Sequence, residues 1–178
     1  MSFSFVSGNP ALDLAGTVQS RRDAPVDLLT GPADLERWLA DCQDLPDHIT
    51  VDAAIFPTAL SLREALYRLA LDRVHGRRFE ATGLDVVNDI AASPPPRIRL
   101  DDTGVTMFGD GRAALSLIAR SGMTALAAPD SHFKECGRPT CTRIYLDRSR
   151  GARRAWCGMD ECGNRVKAAA YRARKRSA

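Results

Sequence analysis

The chain has 178 residues, of which 44% are hydrophobic and 26% are charged, as expected for one globular domain or a domain with a small module. Its formal net charge of +3 does not indicate a chain that is highly charged throughout. The absence of any run of about 18 apolar residues argues against a membrane-spanning helix. Residues 1–8 lack the basic start and apolar core of a secretion signal, so we expect a cytoplasmic protein with reduced thiols.

The first 76 residues are predicted to be mainly helical, after a short strand over 3–6 where apolar and polar residues alternate. Asn9-Pro10 is typical of a helix start, and Thr30-Gly31-Pro32 places proline at the first position of a second helix. The longest helix is predicted over 57–75, where apolar residues form a wide stripe. Gly76 is well suited to end that helix.

A shorter helix and a β-hairpin are predicted next. Thr82-x-x-Asp85 has the spacing of a capping box, for a helix that the prolines at 94–96 end. Residues 97–100 and 105–108 alternate around a turn, which predicts a β-hairpin. Another helix is expected over 112–128, before a domain boundary at Pro129-Asp130-Ser131. The predicted fold is therefore α+β, with a mainly helical N-terminal domain over 1–129 and a small module over 130–178.

Four of the five cysteines lie in the last 43 residues, in two pairs of equal spacing. The pairs are Cys136-x4-Cys141 and Cys157-x4-Cys162. Structural Zn²⁺ sites are tetrahedral and take four such ligands from two short local turns. The spacing predicts one structural zinc ion bound by all four thiolates.

Other interpretations of these cysteines fit less well. Disulfides would require an oxidising compartment. A catalytic zinc site keeps one position open for water, and the H-x-E and P-C-x-x-C segments of zinc deaminases do not occur. His132 could replace one cysteine, but four thiolates are already available. Cys42 is expected to be a small buried residue. Since no catalytic motif is found, we do not expect an enzyme.

The predicted elements of the C-terminal module form a treble-clef-like arrangement. Gly137 and Pro139 shape a knuckle at the first pair. A hairpin is expected between the pairs, from strands over 143–147 and 155–157, and the last helix is expected to begin at Cys162. Residues of that helix expected to face the hairpin are Val166, Ala169, Ala170 and Ala173.

Charge is divided unevenly along the chain. Residues 134–178 contain 13 basic and 4 acidic side chains, a net of +9, whereas residues 1–133 contain 12 and 18, a net of −6. Such a split predicts a polyanionic partner such as nucleic acid, because arginine binds phosphate oxygens bidentately. A merely solvated basic tail is the alternative. The residues predicted to bind nucleic acid are Arg143, Arg148, Arg150, Arg153, Arg154, Arg165, Lys167, Arg172, Arg174, Lys175 and Arg176. Tyr145 and Trp156 could stack on bases, although packing around the zinc site is the preferred role for both.

The C-terminal residues resemble the CGNR zinc finger. Besides the cysteine pairs, the matching motifs are Tyr145-x-Asp147-x-Ser149, Arg154-x-Trp156-Cys157-x-Met159, Cys162-Gly163-Asn164-Arg165-x-Lys167 and Tyr171-Arg172-x-Arg174. The preceding region is similar to the ABATE domain of candidate stress-induced transcription regulators of bacteria. Motifs that carry this second resemblance are Gly8-x2-Ala11-Leu12-Asp13-Leu14, Leu35-x2-Trp38-Leu39 and Leu62-Arg63-Glu64-Ala65-Leu66. Gly16-Thr17 departs from the Asn-Thr that the family usually has.

Together, the residues and the resemblance predict a bacterial transcription regulator. Its zinc finger would bind duplex DNA, and its N-terminal domain would sense a signal or bind a partner. An RNA or single-strand binder stabilised by zinc is the first alternative, and a protein-interaction module with a basic face is the second. The sequence leaves open whether the chain forms a homo-oligomer.

Overall fold

The computed structural model describes residues 2–45, 49–102 and 104–176, without the side chains of Thr50, Ala173 and Arg176. Its α-helices are α1 (Pro10–Ala15), α2 (Pro32–Asp41), α3 (Phe56–Val74), α4 (Ala81–Ala92), α5 (Gly111–Ala127) and α6 (Asn164–Arg176). Its strands are β1 (Val18–Gln19), β2 (Val26–Asp27), β3 (Ile49–Thr50), β4 (Arg97–Asp101), β5 (Gly104–Asp110), β6 (Phe133–Glu135) and β7 (Ile144–Leu146). A 3₁₀ turn over Ala53–Ile55 precedes α3, and a π-helical turn over Met159–Gly163 precedes α6. The chain is thus an α+β protein, as predicted.

Helices α1 to α5 surround one apolar core. Leu35, Trp38 and Leu66 are at most 1% exposed, and each fully buried side chain of this kind contributes about 1.5–3 kcal/mol. Helices α1, α3 and α5 lie close together because α5 has a glycine at the crossing. A Cβ on Gly122 would lie 2.6 Å from Leu66 Cδ2 and 3.0 Å from Ala11 Cβ.

The predicted helix boundaries are largely confirmed. The Asn9 side chain accepts a hydrogen bond from the Ala11 N–H at 2.9 Å, which satisfies a free donor of α1. Pro32 begins α2. Gly76, beyond the end of α3, has φ +63°, a left-handed conformation that glycine adopts without strain.

Two N-terminal predictions are wrong. Residues 3–6 do not form a strand, since the N–H groups of Val6 and Ser7 donate to the buried Asp13 carboxylate at 3.0 Å. The Thr82 capping box is absent because α4 begins at Ala81. The Thr82 hydroxyl instead donates to the Glu80 carboxylate at 2.6 Å.

The predicted β-hairpin is confirmed. Strands β4 and β5 pair antiparallel with Arg97 opposite Phe108 and Leu100 opposite Val105. Strand β3 pairs parallel with the other side of β5, so the order is β3-β5-β4. None of the described helices is long and apolar enough to cross a membrane.

Strands β6 and β7 pair antiparallel, with Lys134 opposite Tyr145, and they connect the zinc-finger region to the rest of the molecule. Phe133, Ile144 and Leu146 belong to the same core as the N-terminal helices, whereas Tyr145 faces the cysteines. Strand β7 is therefore buried on both faces and shared by the two parts of the protein.

Candidate metal centre and basic surface

The four predicted zinc ligands lie together in the structure. Their sulfur atoms are all within 4.8 Å of one another, and each residue is at most 8% exposed. Cys157 Sγ lies 3.9 Å from Cys141 Sγ and 3.5 Å from Cys162 Sγ. Four sulfurs at about 2.3 Å from a tetrahedral Zn²⁺ would be about 3.8 Å apart, so these separations fit one zinc ion.

The chemistry of two of the four thiols, Cys157 and Cys162, also fits a metal. Burial raises the pKa of the Cys162 thiol to about 11. The interaction with the sulfur of Cys136 raises the pKa of Cys157. A raised pKa keeps these thiols protonated at neutral pH. A bound divalent cation lowers that pKa because it stabilises the thiolates that bind it. None of the five cysteines forms a disulfide. The protein therefore has one structural zinc site with a complete set of four sulfur ligands.

The first cysteine pair lies in a knuckle between β6 and β7. The Cys136 N–H donates to the Arg143 carbonyl at 3.0 Å, and the Cys141 N–H donates to the Arg138 carbonyl at 2.9 Å. The second pair leads into the last helix, and Cys162 lies in the π-helical turn before α6. A knuckle and a helix start that together bind one ion make the treble-clef-like arrangement that the sequence predicted.

The hairpin of this module differs from the predicted one. Strand β7 pairs with β6, which precedes the first cysteine pair, and residues 155–157 do not form a strand. The Ala155 carbonyl instead accepts a hydrogen bond from the Gly137 N–H at 2.9 Å. The segment before the second pair therefore crosses the knuckle instead of returning along β7.

An aromatic layer covers the zinc site, as preferred for Tyr145 and Trp156 on sequence grounds. Tyr145 is fully buried, and its hydroxyl donates to the Arg154 carbonyl at 2.7 Å. Burial raises the pKa of Tyr145 to about 12. Trp156 and Val6 are half-buried against the same cluster. Tyr145 is thus part of the support of the zinc site and has no free face for a base.

Two predicted nucleic-acid contacts, Arg143 and Arg154, need correction. Arg143 is 8% exposed, and its Nη1 points at Cys157 Sγ at 4.0 Å. The Arg154 guanidinium lies 4.4 Å from the Tyr145 ring centroid. It donates to the Trp156 and Val6 carbonyls at 2.7 Å and to the Cys157 carbonyl. Arg143 places positive charge beside the thiolates, and Arg154 links the module to the N-terminal segment, so neither is a free surface cation.

Asp147 organises the loop that follows β7. Its carboxylate is fully buried and accepts hydrogen bonds from Lys134 Nζ at 2.8 Å, the Ser149 hydroxyl at 2.6 Å and the Arg154 N–H at 2.9 Å. Burial acts to raise the pKa of Asp147, but the hydrogen bonds from Lys134 and Ser149 outweigh it and hold that pKa well below its usual range. This role was missed on sequence grounds, although Asp-x-Ser is a turn-forming pattern.

The other predicted contact residues are distributed over that loop and α6. Arg148, Arg150 and Arg153 of the loop are exposed, as are Arg165, Lys167, Arg172, Arg174 and Lys175 of α6. The side chain of Arg176 lies outside the described residues. Two arginines of the N-terminal part are paired instead: Arg21 contacts Glu64 at 2.6 Å, and Arg63 contacts Asp27 at 2.7 Å.

Helix α6 does not pack as predicted. Val166 is half-buried, but Ala169 and Ala170 are exposed, and the Ala173 side chain lies outside the described residues. These alanines were expected to pack on the hairpin. Ile144 and Leu146 of β7 face the helical core instead and are not available to α6. Nearly the whole described surface of α6 is therefore available to a partner.

A cavity of about 630 Å³ lies between α5 and the loop after β7. Thr124 and Ala125 form one wall, and Arg148 and Ser149 form another. His132 lies at its rim, where its Nδ1 is 2.7 Å from the Asp130 carbonyl. No sequence pattern indicated this cavity, because its walls come from distant segments.

The fold and the metal site define a helical domain that carries a treble-clef-like zinc finger. Comparison with family models gives the same architecture. The ABATE model, described as "Putative stress-induced transcription regulator", matches residues 8–129, and the CGNR zinc finger model matches residues 132–175. The chain therefore belongs to the ABATE family and contains a CGNR zinc finger. A search of curated proteins finds no match.

Proposed function

We propose that the protein regulates transcription by binding duplex DNA through the exposed cations of its zinc finger. The observation that carries this proposal is a set of eight exposed side chains that make no hydrogen bond or ion pair within the described residues. These are Arg148, Arg150, Arg153, Arg165, Lys167, Arg172, Arg174 and Lys175. Unpaired cations on one small module are suited to phosphate contacts, which supply most of the affinity of a DNA-binding protein.

The loop that carries three of these arginines is already ordered. Lys134, Ser149 and the Arg154 backbone all donate to the buried Asp147 carboxylate. A preorganised loop loses little conformational entropy on binding. Bound zinc also preorganises the finger for binding, because a module of about 45 residues has little apolar core of its own to fix its structure.

Duplex DNA is favoured over a single strand by the aromatic residues. Proteins that bind single strands stack bases on exposed aromatic rings. Tyr145 is fully buried and Trp156 is half-buried, which leaves Tyr171, at 61% exposed, as the mainly exposed aromatic residue of the finger. RNA or single-strand binding therefore stays the second candidate.

The regulatory part of the proposal rests on the connection between the two regions. Strand β7 contributes to both the helical core and the zinc cluster. The 630 Å³ cavity also has walls from both regions, and its volume is in the range of small-molecule sites. A ligand in this cavity would contact both α5 and the loop that follows β7.

Fluorescence anisotropy with a labelled random duplex tests DNA binding. The zinc-loaded protein should bind with an affinity that falls as salt rises, with a slope of about −0.9 per phosphate contacted. Arg150→Gln should weaken binding to all sequences and reduce the salt slope by about one. The matched control is Arg112→Gln, an exposed arginine outside the finger, which should bind like the wild type.

A flat salt response would rule out both nucleic-acid functions and favour the protein-interaction module. Tighter binding to single strands or RNA than to duplex would establish the second candidate. Selection from a random duplex pool, with and without chelator, would then identify a target sequence. We also expect no turnover in a broad substrate screen, and an activity found there would contradict the proposal.

A further inference from the structure

The β4–β5 hairpin has the most exposed large apolar side chains among the described residues. Leu100 is 77% exposed, Ile98 70% and Val105 67%. Ile98 lies opposite Met107, and Leu100 lies opposite Val105. Opposite residues of an antiparallel pair share one face, so these four side chains form a single apolar face. A contiguous exposed patch of this kind is typical of an interaction surface.

Strand β4 is also an edge strand. Strand β5 lies between β3 and β4, so one side of the β4 backbone faces away from the sheet. An edge with free backbone donors and acceptors binds another strand readily, and natural proteins usually protect such edges. An added strand gains backbone hydrogen bonds, and its side chains decide the specificity.

The charges of β4 indicate which kind of strand can pair with its outer edge. Arg97 and Arg99 are followed by Asp101 and Asp102. A second copy of the strand that runs antiparallel can place Arg99 of one copy opposite Asp101 of the other, which is favourable, whereas a parallel copy in register brings like charges together. These four charges sum to zero and β5 ends at Asp110, so the hairpin has no excess of positive charge to attract a polyanion. The strand is therefore complementary to itself.

We propose that the protein forms a two-fold symmetric dimer in which two β4 strands pair antiparallel, with Leu100 of both copies at the axis. Arg99 then lies opposite Asp101 of the partner subunit, and the symmetry repeats this pair. An axis at Arg99 would instead bring two guanidinium groups together, which is unfavourable. The two three-stranded sheets join into one, and their apolar faces become continuous. This inference does not depend on DNA binding.

Sedimentation equilibrium of the zinc-loaded full chain tests the dimer. At micromolar concentrations the mass should be twice the chain mass of 19.4 kDa. Leu100→Glu should reduce it to one chain, because two like charges would meet at the axis. The control is Leu84→Glu, at a 37% exposed leucine of α4, which should stay dimeric. A monomeric wild type, or a dimer that survives Leu100→Glu, would overturn the proposal.

Cross-linking provides a second measurement in case Leu100→Glu does not fold. Opposite Cα atoms of an antiparallel pair are about 4.5–5.5 Å apart, which is within the range of a disulfide. Under mild oxidation, Leu100→Cys should give a disulfide-linked dimer, while Leu84→Cys and the wild type should not. Failure of Leu100→Cys to cross-link would also overturn the proposal.

Discussion

The N-terminal domain and the zinc finger are held together by different interactions. The first has a continuous apolar core in which Trp38, Leu66 and Leu115 are at most 1% exposed. The second has four cysteines, with Tyr145 fully buried and Val6 and Trp156 partly buried against them. An apolar core is stabilised by the removal of apolar surface from water, whereas the finger requires a metal to neutralise its thiolates. The finger is therefore the conditional part of the molecule.

The two parts are nevertheless not independent. Ile144 and Leu146 face the helical core while Tyr145, between them, faces the zinc cluster. The Leu146 N–H also donates to the Ser7 carbonyl at 2.8 Å, and the Ser4 hydroxyl donates to the Glu161 carboxylate at 2.9 Å. Loss of the metal should therefore reach the helical domain through β7. The first two predictions test this coupling, and the third concerns the helical domain alone.

Loss of one zinc ligand should have the largest effect. Cys157→Ser should bind no zinc and should lose the fold of the finger, because structural zinc contributes about 10–16 kcal/mol of apparent free energy in isolated fingers. Helices α1 to α5 should remain folded with reduced stability. Elemental analysis and circular dichroism with thermal unfolding measure both. Cys42→Ser is the control, since Cys42 is buried outside the cluster and its removal should leave one zinc per chain. Full zinc content in Cys157→Ser would contradict a four-sulfur site.

Truncation of the shared strand should have an intermediate effect. Ile144 is 2% exposed, so Ile144→Ala should lower the free energy of unfolding by about 2–5 kcal/mol. Because β7 also positions the knuckle, zinc transfer to a chelator should become faster. Urea unfolding and a chromogenic chelator measure the two effects. Leu84→Ala should change stability by less than about 0.5 kcal/mol. Unchanged zinc release in a destabilised Ile144→Ala would show that the two regions are not coupled.

The smallest effect should come from Asp34 in the first turn of α2, outside the zinc finger. The Asp34 carboxylate accepts hydrogen bonds from the Thr30 hydroxyl and N–H, which lower the pKa of Asp34 from 3.8 to about 2. A lowered pKa stabilises the folded state above pH 4, and this contribution disappears as the pH falls towards 2. Asp34→Asn should therefore melt slightly below the wild type at pH 7, and the difference should shrink between pH 4 and 2. The exposed Asp85→Asn serves as control, and a difference independent of pH would contradict this account.

Local patterns were sufficient wherever a few neighbouring residues determine the structure. Asn9-Pro10 and Gly31-Pro32 begin helices, and Gly76 ends one, because capping and φ restrictions act within a single turn. The hairpin at β4–β5 follows from alternation around a turn. The zinc ligands could be identified from two cysteine pairs of equal spacing, because two short local turns are enough to bring four sulfurs to one ion.

Local patterns failed where a distant partner decides the outcome. Residues 3–6 are not a strand because Asp13 takes the N–H groups of Val6 and Ser7. Residues 155–157 were expected to pair with β7, but β6 pairs with β7 instead. Arg143 resembles the loop arginines in sequence, but the fold buries it beside Cys157.

The sequence alone therefore determined the α+β class, the four ligands and the basic character of the C-terminal module, since these depend on spacing and composition. Only the tertiary structure decided that β7 belongs to two cores, which arginines face the solvent and that an apolar hairpin face is left exposed. Burial and strand pairing are set by residues far apart in the chain, and no local pattern records which of them meet.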